Sequence, residues 1–543
     1  MNVGARHRAR RSPGGPPPVG PLLALATVLL YGVLVIWACV TPDYRAPDEP
    51  QQVSTTLRLA YWHSYPAPGD ARIFPAVKAS YHDVGFGGIG LNTINDLGPL
   101  RRPAPDQLTG ATLNELGARP MGAATPYDYD QMTQHPPGYF AVLAVPARLF
   151  DVIDKTPHTA LLILRLCSAL LLLPLPFLAF RIARSLGVGP SGSAAAAFLP
   201  VALPQLTHIG AAVNNDTLAI TLSAAVTWLA LEVASRPRAR WWAVSLGIVM
   251  SALLLTKGTA LPMLALVVAA FALRAKRFGL RRTGKAAAAT GLLLLPGLAW
   301  WVANVVRFGA LQPDGYPRSY LDLLTKRGDL SLGSWLHGFF PALFRSFFAD
   351  FGWLEAPPPS AVTAAATIVL GLLLAVGVAR ARGNLGGALL AQLAWLTPLI
   401  AIMYTSHAAS ERTGALQGVQ GRYIFGGVAA IAATLACALR PGQGGRRGRP
   451  WLPFALLPIA AAAVAAIGLW AGVAHFYTGD GFLGQIGVFS AWSPLRLRAL
   501  AAVGAVCALC ALAAAALLAR RDAPEYSRSP AARRADVGVS ARP

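Results

Sequence analysis

The chain has 543 residues, of which 55% are hydrophobic and 13% charged, and its mean hydropathy is +0.48. Apolar runs of about 15 to 24 residues recur along it, and runs of that length can cross a bilayer. The composition excludes a string of soluble domains and predicts an integral membrane protein built as an all-α polytopic bundle. A net charge of +23 would indicate a nucleic-acid partner only if the basic residues formed one patch, and they do not.

The basic residues are instead sorted by loop. Seven segments that alternate with the apolar runs hold 27 of the 47 basic residues but only three of the 24 acidic ones. This is the positive-inside distribution, which places all seven segments in the cytoplasm. They are the N-terminus, residues 181–184, 236–240, 274–285, 380–382 and 440–449, and the tail from residue 520.

Twelve crossings satisfy this constraint and put both termini in the cytoplasm. They are predicted at residues 21–40, 160–183, 188–212, 216–235, 241–256, 259–274, 285–307, 361–379, 386–404, 422–439, 452–473 and 497–519. Residues 241–273 would form a helix of about 50 Å, which is too long for a hydrocarbon core of about 30 Å, so a break is predicted at Lys257 and Gly258. The transmembrane domain is thus expected at 21–519, between disordered cytoplasmic ends at 1–20 and 520–543.

The loops on the other side are larger and acidic. The first covers residues 41–159 and the second covers 308–360, and together with 405–421 and 474–494 they carry 19 of the 24 acidic residues. Within the first loop, residues 51–62 and 139–152 are apolar on one side and too short to span, which predicts helices that lie in the interface. The stretch 64–129 reads as irregular, and a loop of that length argues for a function.

Two adjacent carboxylates, Asp48 and Glu49, directly follow the first crossing and lie between Pro47 and Pro50. Ionised groups at a membrane surface are costly unless binding or chemistry uses them. They are the first indication of an active site.

Further polar clusters fall on the same predicted face. They are His135 and Tyr139 in QHPPGYF, Asn214, Asn215 and Asp216 in VNNDT, Lys257 in LTKGT, Glu355 in FGWLEAP, and Arg422 and Tyr423 in VQGRYIF. Each has an ordinary structural explanation: Asp216 could cap the helix that follows it, His135 could pack in a loop, Lys257 could reach the headgroups, and Arg422 could anchor a helix end.

Taken together, the ordered motifs PDEP, QHPPGYF, NND, TKG, FGW and QGRY resemble the GT-C class of membrane glycosyltransferases. More closely, they resemble an uncharacterised bacterial multi-pass family related to the protein mannosyltransferase and aminoarabinose transferase group. The resemblance extends from about Pro47 to Tyr423. The chain differs in having no large soluble C-terminal domain and in following PDEP with Gln-Gln rather than an aromatic residue.

The resemblance implies transfer of a sugar from a polyprenyl-phosphate donor to a cell-envelope glycan or lipid acceptor at the extracytoplasmic face of the cell membrane, usually with inversion. Asp48 is then expected to act as the base, with Glu49 as an orienting or alternative carboxylate. Lys257 and Arg422 are the candidates for the donor phosphate. His135, Tyr139, Asn215, Asp216, Glu355 and Tyr423 are candidates for substrate contacts.

No metal-ligand set is predicted, because no second His or carboxylate lies at a suitable spacing from His135. The resemblance requires no cofactor and leaves a divalent cation open, since the class includes members with and without one. The alternative function is a transporter or flippase of a lipid-linked sugar, which would place ionisable residues at the bilayer midplane. Arg165 and Glu232 are the main ionisable residues inside the predicted helices, and this scarcity favours catalysis at the surface. A scaffold without a substrate would leave the charged clusters unexplained.

Overall fold

The computed structural model describes residues 19–86, 97–119, 128–317, 330–440 and 452–521. The predicted disordered ends lie outside these residues, except that the first helix begins at Val19 and the last ends at Arg521. The described chain is helical, and its extended pairing is limited to three isolated β-bridges. The predicted all-α class is therefore confirmed.

Ten helices in the described part of the chain are long and apolar enough to cross a membrane. They are Val19–Val40, Pro157–Ser185, Asp216–Ser235, Gly258–Phe278, Leu280–Phe308, Ser360–Arg380, Leu385–Thr413, Gly421–Ala438, Leu452–Phe476 and Leu497–Ala519. Each coincides with one of the twelve predicted crossings. The chain is thus a multi-pass membrane protein.

The other two predicted crossings are also helical but do not form long regular helices. Residues 190–210 are divided into Pro190–Ala196, a 3₁₀ turn at Leu199–Ala202, and Pro204–Gly210. Proline lacks the backbone N–H and restricts the residue before it, so Pro200 and Pro204 each lie at or next to the start of a new segment. Arg240–Leu254 is a short apolar helix, and the chain resumes after Lys257, where the break is predicted.

The spanning helices differ in how deeply they lie in the bundle. Asp216–Ser235 and Gly421–Ala438 are the most buried, whereas Ser360–Arg380 is mostly exposed. Val19–Val40 packs against Leu497–Arg521, and Arg240–Leu254 packs against Leu280–Phe308. Both of these buried helices carry a candidate residue at their start: one begins at Asp216, and the other begins at Gly421, next to Arg422.

The first large loop adds a layer at one end of the bundle, with an apolar core of its own around Val53, Phe74 and Phe140. Its elements are Glu49–Leu57, continued by a π turn at Arg58–Trp62, then Pro75–Ala79, Leu113–Gly117, a 3₁₀ turn at Gln131–Gln134, Gly138–Leu149 and Val152–Asp154. All nine residues of Glu49–Leu57 are buried, so this helix lies beneath the rest of the loop.

Two helices in the later loops were not predicted. Leu332–Phe348 lies in the second large loop, and Gly481–Trp492 follows Leu452–Phe476. Leu385–Thr413 also continues nine residues beyond the predicted end of its crossing. Together with the first loop, these segments enclose the end of the bundle where the candidate residues lie.

Candidate functional site

A cavity of about 540 Å³ opens between the first loop and the ends of the spanning helices. Its volume falls within the range of small-molecule sites. Distant parts of the described chain meet there: the start of Glu49–Leu57, the turn at Gln131–Gln134, the break at Lys257, residues 312–316, the helix Leu385–Thr413, and the QGRY segment. The predicted residues that border it are Asp48, His135, Lys257, Arg422 and Tyr423.

Asp48 directly precedes the helix Glu49–Leu57 and has a left-handed backbone with φ of +62°. This conformation is uncommon for a residue other than glycine, and strained residues are frequent at functional sites. The carboxylate does not cap the helix; it accepts hydrogen bonds from Arg422 and, at 3.2 Å, from the amide of Gln131. About a fifth of the side chain (21%) remains exposed, so a ligand in the cavity can reach it.

Asp130 holds the cavity wall beside Asp48, and the sequence analysis missed it. Its carboxylate accepts hydrogen bonds from Ser54 at 2.6 Å, from Thr55 at 2.9 Å and from the amide of Met132 at 3.0 Å. Burial raises its pKa to about 6, against the lowering effect of the bond from Ser54. Asp130 therefore ties the Gln131 turn to the helix that follows Asp48.

Arg422 is fixed by the glycine before it. A Cβ on Gly421 would lie 2.2 Å from the backbone nitrogen of Phe347, so only glycine allows this approach to Leu332–Phe348. The Gly421 amide also donates to Ser346 Oγ at 2.8 Å. The unpredicted helix thus sets the position of Arg422.

Lys257 lies between Arg240–Leu254 and Gly258–Phe278, and its Nζ is 2.7 Å from Asp216 Oδ1. The loop reaches this break at Gly138, whose amide donates to the carbonyl of Leu255 at 2.9 Å. A Cβ on Gly138 would lie 2.4 Å from that same oxygen. The glycine of QHPPGYF is therefore needed to bring the loop against the lysine.

Asp216 does not cap its helix, because the helix begins at this residue and its carboxylate faces Lys257 and Arg422. The ordinary cap explanation is thus wrong, since ion pairing has taken its place. Its Oδ2 is 3.6 Å from Arg422 Nη1, and neither atom has a hydrogen bond within the described residues. Asp48, Asp216, Lys257 and Arg422 form one network with two charges of each sign, called the charge cluster below.

His135 and Tyr423 border the same cavity. Burial, with Lys257 nearby, lowers the pKa of His135 to about 3, so the imidazole is neutral at physiological pH. Its Nδ1 is buried without a hydrogen-bond partner among the described residues. The ring of Tyr423 lies 5.5 Å from Lys257 Nζ and 5.5 Å from Arg422 Cζ, within cation–π distance.

Glu49 points away from the cavity, although it is adjacent to Asp48. It is fully buried and accepts two hydrogen bonds from Arg165, at 2.8 and 2.6 Å, and one from the amide of Val213 at 3.1 Å. Arg165 also donates to the carbonyls of Ala38, Thr41 and Pro42. This pair joins the end of the first crossing to the segment before Asp216.

Tyr139, Glu355 and Asn215 do not border the cavity either, and Asp216 pairs with Lys257 without lining the cavity itself. The hydroxyl of Tyr139 is 2.9 Å from that of Ser168. Glu355 accepts a hydrogen bond from Arg45 Nε at 3.0 Å. Asn215 is buried, and its amide has no hydrogen-bond partner in the described part of the chain.

The described residues contain no group of three or more His, Cys, Asp and Glu side chains that could hold a metal ion. Both carboxylates of the charge cluster already face cations.

The chain was compared with known proteins. A family model described as "Predicted membrane protein (DUF2142)" matches residues 30–431. No curated protein matches the chain.

Among solved structures, the chain is similar to ArnT from Cupriavidus metallidurans bound to undecaprenyl phosphate, with 14% identity, a TM-score of 0.44, and coverage of 92% of this chain and 77% of that one. It is also similar to archaeal oligosaccharyltransferase AglB from Archaeoglobus fulgidus in complex with an inhibitory peptide and a dolichol-phosphate, with 14% identity, a TM-score of 0.33, and coverage of 90% and 56%. At these identities and scores, the case for a reaction rests on the site itself.

Proposed function

We propose that this chain, which belongs to the DUF2142 family of predicted membrane proteins, is a membrane glycosyltransferase. It would move a sugar from a polyprenyl-phosphate donor to a cell-envelope acceptor on the extracytoplasmic face. The observation that carries the proposal is the convergence of Asp48, Lys257 and Arg422 on one cavity. These residues come from distant parts of the chain, and each supplies a group that such a transfer needs.

The carboxylate of Asp48 fits the role of the base. An acceptor hydroxyl loses its proton as its oxygen attacks the anomeric carbon, and a carboxylate within hydrogen-bond reach can take that proton. The bond between the anomeric carbon and the phosphate oxygen breaks in the same step, and its electron pair stays on the phosphate. A single displacement of this kind inverts the anomeric centre.

Lys257 and Arg422 fit the leaving group. Negative charge grows on the phosphate as it departs, and fixed cations in a cavity shielded from water stabilise that charge more strongly than they would in water. Both side chains are almost fully buried, and Arg422 Nη1 has no hydrogen bond among the described residues. A donor phosphate could take that position.

The ion pair between Asp48 and Arg422 implies an order of events. The bond from Arg422 occupies part of the Asp48 carboxylate, which would otherwise be open to a substrate. A phosphate that competes for Arg422 would release Asp48 for the acceptor. Donor binding would thus prepare the base, and the acceptor would react only when a donor is present.

The distribution of charge supports an outward-facing cavity. Asp216 begins its helix in the charge cluster, and Glu232 and Arg236 lie at the other end of that helix, about 30 Å away at 1.5 Å per residue. The basic loops meet at that far end, where Asn384 donates to the carbonyl of Ser185 and Arg440 to that of Leu186. By the positive-inside rule this end is cytoplasmic.

The transporter alternative receives less support from the buried charges. Arg165 is bound to carbonyls at the end of the first crossing, and Glu232 lies at the opposite end of the bundle. Neither is at the midplane, where a carrier would need a charged relay.

The test is a sugar-transfer assay in membranes that contain the full chain and radiolabelled undecaprenyl-phosphate-linked sugars. Asp48→Asn keeps the size of the side chain but removes its basicity, so we expect normal insertion and a loss of transfer of at least about 100-fold. Asp70→Asn, an exposed acid of the same loop that does not border the cavity, is the matched control and should transfer normally. Equal turnover by wild type and Asp48→Asn would remove Asp48 from the base role.

A further inference from the structure

A second concave site lies at the end of the bundle opposite the charge cluster. It has a volume of about 450 Å³ and is formed where Pro157–Ser185 ends beside the end of Asp216–Ser235. Its polar lining consists of Arg181, Arg184, Ser185, Glu232, Ser235 and Arg236. It shares no lining residue with the cavity described above.

Arg181 is a cation without an acidic partner in the described part of the chain. Its Nε is buried and has no hydrogen-bond partner there. The guanidinium lies over the ring of Trp228, at 4.8 Å, and near that of Phe177, at 5.9 Å. Stacking on aromatic rings holds an arginine in place and leaves the edge of its planar fork for an anion.

Among the described residues, the acid that lines this pocket is Glu232, and its carboxylate already has partners. Glu232 pairs with Arg236 and accepts hydrogen bonds from Ser185 Oγ at 2.9 Å and from Trp228 Nε1 at 3.2 Å. Arg184 gives one N–H to the carbonyl of Val188 at 2.7 Å. The pocket therefore keeps the positive charges of Arg181 and Arg184, whereas the charge of Glu232 is balanced.

Aromatic residues place this pocket at the level of the headgroups. Trp228 and Trp242 meet edge to face at 5.5 Å, and Arg236 lies over Trp242 at 5.0 Å. Phe177 is 41% exposed and Trp241 is 75% exposed on the same end of the bundle. Tryptophan in such a position is typical of the membrane interface.

We propose that this pocket binds the phosphate of an anionic phospholipid headgroup in the leaflet opposite the charge cluster. Arginine binds phosphate through paired N–H donors, and basic pockets between spanning helices on the cytoplasmic side suit such headgroups. A soluble phosphate compound offers the same chemistry. The exposed aromatic rim favours the lipid, since its acyl chains would remain beside Phe177 in the bilayer.

Native mass spectrometry of the purified full chain in detergent can test this with three probes: phosphatidylglycerol, phosphatidylcholine and inorganic phosphate. Arg181→Gln should weaken phosphatidylglycerol binding by about fivefold, the effect of one arginine near an anionic surface. Arg240→Gln is the matched control, because Arg240 is exposed at the same end, lies over Trp241 and does not line the pocket. Its affinity should equal that of wild type.

Arg181→Lys keeps the charge, and it should retain more binding than Arg181→Gln even if the glutamine variant folds poorly. Selective binding of phosphatidylglycerol over phosphatidylcholine, lost on Arg181→Gln alone, supports the lipid site. Displacement of the lipid by an equal concentration of inorganic phosphate would overturn the headgroup assignment in favour of a soluble phosphate. Equal affinities for wild type, Arg181→Gln and Arg240→Gln would overturn the site itself.

Discussion

Asp48 and Arg422 form an ion pair across 374 positions of the chain, and the pair borders the cavity. Arg422 reaches Asp216 as well, with its Nη1 at 3.6 Å from that carboxylate. The Arg422 guanidinium thus links the loop after the first crossing to the helix that begins at Asp216, the residue that pairs with Lys257. This geometry depends on the planar, forked shape of arginine.

Arg422→Lys should therefore impair transfer although it conserves charge. A lysine has a single ammonium group and cannot face both carboxylates and a phosphate in the arrangement that Arg422 allows. We expect transfer to fall by about 10- to 100-fold, measured with radiolabelled lipid-linked sugars. Arg307→Lys, at an exposed position outside the cavity, is the control and should not change transfer. Wild-type activity in Arg422→Lys would argue against a role in phosphate binding.

The pair between Arg165 and Glu49 should govern stability rather than the chemical step. Arg165→Met leaves Glu49 as a buried, unpaired charge, and removing one partner of such a pair costs about 3–5 kcal/mol. The double variant Arg165→Met/Glu49→Leu should regain part of this loss, because neither charge remains. The regain should be partial, since Arg165 also binds three backbone carbonyls.

Thermal midpoints of the four proteins in detergent complete this double-mutant cycle. Additive losses from the two single changes would show that the residues do not stabilise each other.

The sequence predicts the helices of this protein better than it predicts the contacts of its polar side chains. Apolar length and loop charge are local properties, so they place the ten long apolar helices and the break at Lys257. The directions of the acidic side chains are harder to predict, because two adjacent carboxylates point to opposite sides. Asp48 faces the cavity, whereas Glu49 faces Arg165. The partner that decides this for Glu49 lies 116 positions away, and nothing in the sequence near Glu49 indicates it.

Distant partners also explain why the sequence does not predict the contacts of Asp130 and Glu355. Asp130 lies in an acidic, tyrosine-rich stretch with no helical period, and only its folded contacts with Ser54 and Thr55 show that it supports the turn that lines the cavity. Glu355 was a candidate because it follows the FGW motif, yet its carboxylate is bound to Arg45. A motif predicts that a segment matters, but it does not predict the direction of each side chain.

Gly138→Ala should separate the loop from the break at Lys257. The added methyl would lie 2.4 Å from the carbonyl oxygen of Leu255, so the backbone must move, and overpacking of this kind costs about 1–3 kcal/mol. Because the movement occurs beside Lys257, we expect lower transfer together with a lower thermal midpoint.

Gly291→Ala is the matched control for this change. Gly291 lies in the spanning helix Leu280–Phe308, and a Cβ there would meet no atom within 4 Å. Alanine is a better helix former than glycine, so this variant should be neutral or slightly more stable. A Gly138→Ala protein that behaves like Gly291→Ala would show that the close approach is not required.

His135 should make stability depend on pH in the weakly acidic range. Its pKa is lowered by burial to about 3 in the folded protein, whereas an exposed histidine titrates near 6.5. As pH falls below about 6.5 the unfolded chain takes up a proton that the folded chain does not, so the folded state loses stability. Above that pH the imidazole is neutral in both states, and its contribution is constant.

The measurement is the thermal midpoint of wild type and His135→Gln in detergent at pH 7.5 and pH 5. Wild type should lose more stability than the variant between these values, because glutamine does not titrate. The other ionisable groups are shared by both proteins, so the difference between the two shifts isolates His135. Equal shifts would mean that His135 takes up its proton in the folded protein as readily as in the unfolded chain, and a protonated imidazole would then face Lys257 across the cavity.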